Sequence, residues 1–137
     1  KVFSRALTYA RSLGALVIAH PQEPVLSHGA AATSGKFASL RGLPAVSAMA
    51  ERMGLDRDIA LIEMTGARYH ADQITTSRAL PALERAKANG LDITAGTSIH
   101  HLTLNALDVA DRLKKPQVAQ SPLKHSSQPQ CDWFMPI

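Results

Sequence analysis

Three short runs suited to buried strands, each separated from the next by a helical stretch ending at glycine, constrain this chain more than any other feature. The first run, Leu16-Val17-Ile18-Ala19-His20, is continuously apolar and rich in branched residues. That pattern predicts a strand buried on both faces of a parallel sheet. Before it, Ala6, Leu7, Ala10 and Leu13 recur at helical spacing within residues 5–13, and Gly14 stands where a helix stops. After it, residues 22–44 are rich in Gly, Ala, Ser and Pro without a period and read as a long loop with room for a short helix.

The next apolar series, Val46, Met49, Ala50 and Met53 followed by Ile59 to Met64, predicts a helix over 45–64 that is irregular near Gly54 and stops at Gly66. A second strand is expected over Arg68–Thr75. Thr76 or Ser77 then caps a helix with Leu80, Leu83 and Ala86 on one face, Pro81 in its first turn and Gly90 at its end. Leu91 to Thr97 is the third strand. Helix and strand alternating in this way define an α/β fold with a parallel sheet, whose functional residues belong at the carboxyl ends of the strands.

Composition narrows the function. No apolar run approaches the ~20 residues of a membrane-spanning helix, and the first residues lack the apolar stretch of a signal peptide. The single cysteine, Cys131, excludes an internal disulfide framework or a multi-cysteine zinc site and points to the cytoplasm. The net charge of +4 suggests nucleic acid until it is located. Residues 1–111 hold eleven Lys/Arg against ten Asp/Glu, whereas residues 112–137 hold four against Asp132 alone. A phosphate-binding face needs clustered cations with aromatics between them, so no nucleic-acid partner is expected for the body. The tail, with Pro116, Pro122, Pro129 and Pro136 and an unmatched Trp133-Phe134, is expected to be poorly ordered.

His20 ends the first strand and precedes a Pro-Gln-Glu-Pro loop, the place where such a fold puts a metal ligand or an acid/base. A histidine bonded to loop backbone is the alternative. His70 is followed by Asp72 at i+2, on one face of a strand, an arrangement fit for an ion pair. His100 and His101, if on a strand, point to opposite faces and do not share a metal. Cys131 has no basic pocket around it and is not expected to be catalytic. One candidate ligand is short of the three or four that a metal site needs.

In order along the chain, His20-Pro21-Gln22-Glu23-Pro24, Leu26-Ser27-His28-Gly29, Leu40-Arg41-Gly42-Leu43-Pro44, Ala50-Glu51, Arg57-Asp58, Thr65-Gly66-Ala67-Arg68-Tyr69-His70, Ala86 to Leu91, Thr94-Ala95 and Ile99-His100-His101-Leu102 resemble the dihydroorotases of the amidohydrolase superfamily. The resemblance covers residues 1–111. It implies the central part, about the fifth to seventh strands, of a TIM (β/α)8 barrel. It also implies a zinc-assisted, reversible cyclisation of N-carbamoyl-aspartate to dihydroorotate in pyrimidine biosynthesis, with His20 as a metal ligand and a small molecule as substrate.

The chain departs from the family pattern at several places. In the family's Tyr-His-x-x-His-x-Ser-Thr stretch, here Tyr69 to Thr76, Gln73 occupies the position of a ligand histidine. The family's Met-Asn-Glu-Gly loop reads Ala32-Thr33-Ser34-Gly35, and Ser121-Pro122-Leu123-Lys124 is a faint echo of its Pro-Pro-Leu-Arg loop. A His-x-His strand, the bridging acidic or lysine ligand and the catalytic Asp have no counterpart, and a whole barrel runs to ~250 residues. The expectation is therefore a partial barrel, inactive by itself, over residues 1–111 and an unmatched tail over 112–137. A non-catalytic subunit that scaffolds aspartate carbamoyltransferase, a homo-oligomer, and an allantoinase- or hydantoinase-type amidase are the other readings.

Overall fold

The computed structural model describes residues 1–105. Helix α1 (Val2–Ser12) leads through Gly14, whose φ of +64° turns the chain, into strand β1 (Leu16–Ala19). A long excursion follows, holding α2 (Pro24–Ser27), β2 (Ala32–Thr33), α3 (Lys36–Arg41) and β3 (Ala45–Val46). Helix α4 (Ala48–Thr65) returns to the sheet at β4 (Arg68–Ala71). A 3-10 turn (Ser77–Ala79) and α5 (Leu80–Ala88) lead to β5 (Ile93–Ala95), and α6 (Ile99–Thr103) closes the described part.

The main sheet has three strands in the order β1-β4-β5, all parallel. Each strand is thus beside the next in the chain's main path, joined through a helix, as the alternation of apolar runs predicts. Rows run across it from Val17 through Tyr69 to Ile93 and from Ile18 through His70 to Thr94. The excursion is more ordered than the long loop expected from sequence. Its β2 and β3 form a separate parallel pair, and Ala45–Val46, expected within a helix, belongs to it. Extended residues at 45–46 are followed by Ser47, whose hydroxyl accepts from the Met49 amide and starts α4 there.

Helices cover one face of the main sheet. Tyr69, Ala71 and Ile93 point into a core with Leu7 of α1, Leu55 and Ile62 of α4, and Ala82, Leu83 and Ala86 of α5. Leu80, expected on the same face as Leu83, is largely exposed. The opposite face is uncovered: Leu16 is 46% and Ile18 63% exposed. The expectation that β1 is buried on both faces is therefore corrected. Its apolar run is continuous in sequence, but only Val17 and Ala19 meet the helices. The described residues form an open parallel α/β sheet of three strands, the parallel α/β architecture expected from sequence.

Helix α4 is continuous through Gly54, contrary to the expected irregularity. A β-carbon at Gly54 would lie 2.5 Å from the Gln22 backbone nitrogen. The glycine lets the loop after β1 rest directly on the helix, and Glu23 N–H donates to the Ala50 carbonyl beside it at 2.9 Å. The boundary near residue 111, the tail, Cys131, Trp133 and the Ser121 to Lys124 echo lie outside the described residues.

Candidate functional site

The carboxyl ends of β1, β4 and β5 and the uncovered sheet face bring together His20, His70, Gln73, Thr94 and Gly96. His20 is exposed one residue beyond β1, and its two ring nitrogens meet different partners. Nδ1 lies 3.3 Å from the Asp72 carbonyl oxygen, and Nε2 lies 3.2 Å from Oε1 of Gln22. A carbonyl only accepts, so the first contact requires a proton on Nδ1; the Gln22 side chain then meets the Nε2 lone pair with its amide turned so that the NH2 group donates.

His70 does not pair with Asp72, as their i+2 spacing suggested. Its Nδ1 lies 2.7 Å from the Thr94 hydroxyl on the neighbouring strand, and its ring packs over Gly96, where a β-carbon would stand 3.1 Å from Nε2. β4 ends at Ala71, so Asp72 has already left the strand and the same-face argument does not reach it. Gln73 follows in the left-handed region, with φ of +56°.

His100 and His101 sit on helix α6 rather than on a strand. Ser98 precedes that helix, and its hydroxyl lies 3.2 Å from His101 Nδ1. Partial burial lowers the His101 pKa below its ordinary value of 6.5; the Glu51 carboxylate opposes this, and His20 and His100 reinforce it. Helix α6 follows β5 directly, so His101 lies beyond the carboxyl end of that strand.

Two buried carboxylates, present in the motifs that carry the resemblance but given no role by sequence, support this end of the molecule. Glu51 of α4 is only 7% exposed and accepts from the Thr75 amide, the Thr75 hydroxyl and the Thr76 amide. Asp58, about two turns further along the same face, accepts from the Tyr69 hydroxyl at 2.7 Å and from Arg57 at 2.8 Å. Burial, together with the hydrogen bond to Asp58, pushes the Tyr69 phenol far above its ordinary pKa. The seven-residue interval from Glu51 to Asp58 on a helix with apolar neighbours was the available signal: it puts both carboxylates on the stripe of Gly54, Leu55 and Ile62 that faces the core.

Zinc needs three or four donors from N, O or S. Among the described residues no group of three or more His, Cys, Asp or Glu converges on a metal position. His20 is a competent imidazole, but Gln73 is a neutral amide and Asp72 presents a backbone carbonyl. The described residues therefore do not by themselves fit a metal centre.

What the arrangement defines first is a class: a parallel α/β segment with histidines at the strand ends, superposing on hydantoinases. L-hydantoinase (dihydropyrimidinase) from Arthrobacter aurescens aligns with a TM-score of 0.65 over 82% of this chain and 25% of its own, at 13% identity. In sequence the chain is similar to dihydroorotases. The chain is 39% identical over 100 residues to a dihydroorotase of Syntrophobacter fumaroxidans, covering 73% of this chain and 23% of that protein. It is also 36% identical over 104 residues to a dihydroorotase-like protein of Pseudomonas putida, covering 76% of this chain and 24% of that protein. The chain thus spans about a quarter of the length of the curated relatives it matches. No family model matches it.

Proposed function

We propose that the chain is a segment of a dihydroorotase-type cyclic amidase, and that it supplies one part of the active-site rim rather than a complete site. The carrying observation is the 39% identity over 100 residues to a dihydroorotase, on strands whose carboxyl ends gather His20 and the Asp72–Thr76 loop. The reaction of that class opens or closes a ring amide. In the opening direction a water oxygen bonds to the ring carbonyl carbon, the carbon–nitrogen bond breaks, and a proton passes to the departing nitrogen. A zinc ion, in the dihydroorotases that this sequence resembles, polarises the carbonyl and lowers the pKa of the water.

The described donor set does not complete such a centre. The chain's own residues contribute orientation. His20 is held by the Asp72 carbonyl and Gln22, His70 is held by Thr94, and the sheet face beside them, with Ile18, is exposed. Alone, the chain is expected to show no dihydroorotate hydrolysis above background with zinc added. Turnover abolished by His20→Ala would overturn that. For a longer polypeptide carrying this segment, profiling dihydroorotate, allantoin and hydantoin tests the substrate: preference for dihydroorotate supports the reading, and preference for either of the others favours an allantoinase or hydantoinase.

Gln73 favours a second reading. An amide at the position of a ligand histidine fits a non-catalytic dihydroorotase-like subunit, with aspartate carbamoyltransferase or a second copy as its partner. Metal analysis of the longer polypeptide distinguishes the two: stoichiometric zinc supports the enzyme, and zinc-free protein that co-purifies with aspartate carbamoyltransferase supports the scaffold.

A further inference from the structure

We propose that Glu51 is a positioning residue that acts on His20 through the loop after β4. The inference deepens the cyclic-amidase reading by naming what aims its histidine, and it is read out by ring chemistry rather than turnover, so either can fail without the other. Glu51 is more than nine-tenths buried, and no Lys or Arg among the described residues forms an ion pair with it. A buried carboxylate without a cation is costly unless hydrogen-bond donors surround it. The donors here all come from one loop. Thr75 N–H is shared between both carboxylate oxygens at 3.1 Å, Thr75 Oγ1 donates at 2.6 Å and Thr76 N–H at 3.0 Å.

That loop carries the site. It begins with Asp72, whose N–H donates to the Ala19 carbonyl at the end of β1, and it passes Ile74, whose N–H donates to the Gly96 carbonyl beyond β5 at 2.8 Å. Between them Gln73 takes a left-handed conformation that disfavours any residue with a β-carbon. A strained turn persists only where its flanks are held. The two strand ends hold Asp72 and Ile74 on either side of it, and Glu51 holds Thr75 and Thr76, which continue the loop. The Asp72 carbonyl, placed by this loop, accepts from His20 Nδ1–H and leaves the electron pair on Nε2, beside the side-chain amide of Gln22.

The test uses the 137-residue chain labelled with nitrogen-15. Long-range proton–nitrogen spectra taken at about pH 8, above the ordinary imidazole range, report the tautomer of His20, assigned with His20→Gln. Amide hydrogen exchange reports Thr75 and Thr76. The expected wild-type ring is the Nδ1–H tautomer. In Glu51→Gln, exchange at Thr75 and Thr76 rises about tenfold or more, as loss of charge-assisted hydrogen bonds requires, and His20 moves toward the Nε2–H form of free imidazole. Thr75→Val, which spares both amide bonds to Glu51, keeps the Nδ1–H tautomer. Faster exchange at Thr75 and Thr76 with His20 unchanged overturns the proposal, as does unchanged exchange in Glu51→Gln. Should that variant fail to fold, Glu51→Asp is read in the same way. A wild-type His20 in the Nε2–H form overturns the proposal without any variant.

Discussion

At Gly54 the usual arithmetic of helix propensity reverses. In an exposed helix interior, Gly→Ala stabilises by about 1 kcal/mol, but here the new methyl would press on the Gln22 backbone 2.5 Å away. Gly54→Ala is expected to destabilise by about 1–3 kcal/mol, read as a lower urea midpoint with an unchanged slope. Tyr69 and Asp58 make a second residue-scale case. Tyr69→Phe keeps the ring but deprives buried Asp58 of a hydroxyl donor at 2.7 Å, at an expected cost of about 1–3 kcal/mol. His101 gives a pH dependence. Its folded pKa lies below the ordinary 6.5 because of burial, so the unfolded chain binds the proton more readily, and stability falls as pH drops below that value. His101→Gln should flatten that part of the stability–pH curve, with proton NMR placing the wild-type His101 midpoint below the ordinary value. These details were only partly legible beforehand. Gly54 costs an isolated helix the same whether it marks a bend or a close approach, and only the neighbouring loop tells the two apart.

Among the elements, α4 does most to position the site. Its buried side carries Glu51, Gly54 and Asp58, which meet respectively the loop after β4, the loop after β1 and Tyr69 of β4. The helix was expected from its apolar spacing, but the hydrogen bonds of Asp58 to Tyr69 and of Glu51 to Thr76 join residues 11 and 25 positions apart, which a local pattern does not encode. The same limit applies to β1. A run of apolar residues reports that a strand can be buried on both faces, whereas neighbouring elements decide whether it is. Ile18 and Ile93 test this directly. Ile18→Thr is expected to change stability by no more than about 0.5 kcal/mol, because Ile18 is 63% exposed. Ile93→Thr, in the core between sheet and helices, is expected to cost about 1–3 kcal/mol. Chemical denaturation of the two variants in parallel checks the contrast.

For the whole molecule, the open sheet and the scattered donor set set the expectation for metal. A ligand that binds the folded chain raises its stability in proportion to the logarithm of its concentration over its dissociation constant. With no convergent group of ligands among the described residues, equimolar zinc is expected to leave the thermal midpoint unchanged, and chelation likewise. A zinc-dependent rise lost in His20→Ala would show a centre that the described residues do not. No described helix is long and apolar enough to cross a membrane.

Local chemistry in the chain was sufficient to specify the alternation of helices and strands, the glycine stops at 14, 66 and 90 with their positive φ values, and the placing of His20 at a strand end. Those properties depend on residues a few positions apart, where periodicity and backbone preference act. The motif order also pointed to dihydroorotase-like sequence. Only the tertiary structure decided that one face of β1 is bare, that His70 bonds Thr94 instead of Asp72, that His100 and His101 lie on a helix, and that Glu51 grips the loop beside His20. Each of those outcomes turns on which distant backbone or side chain fills the space opposite, and hydrogen bonding and burial are settled there.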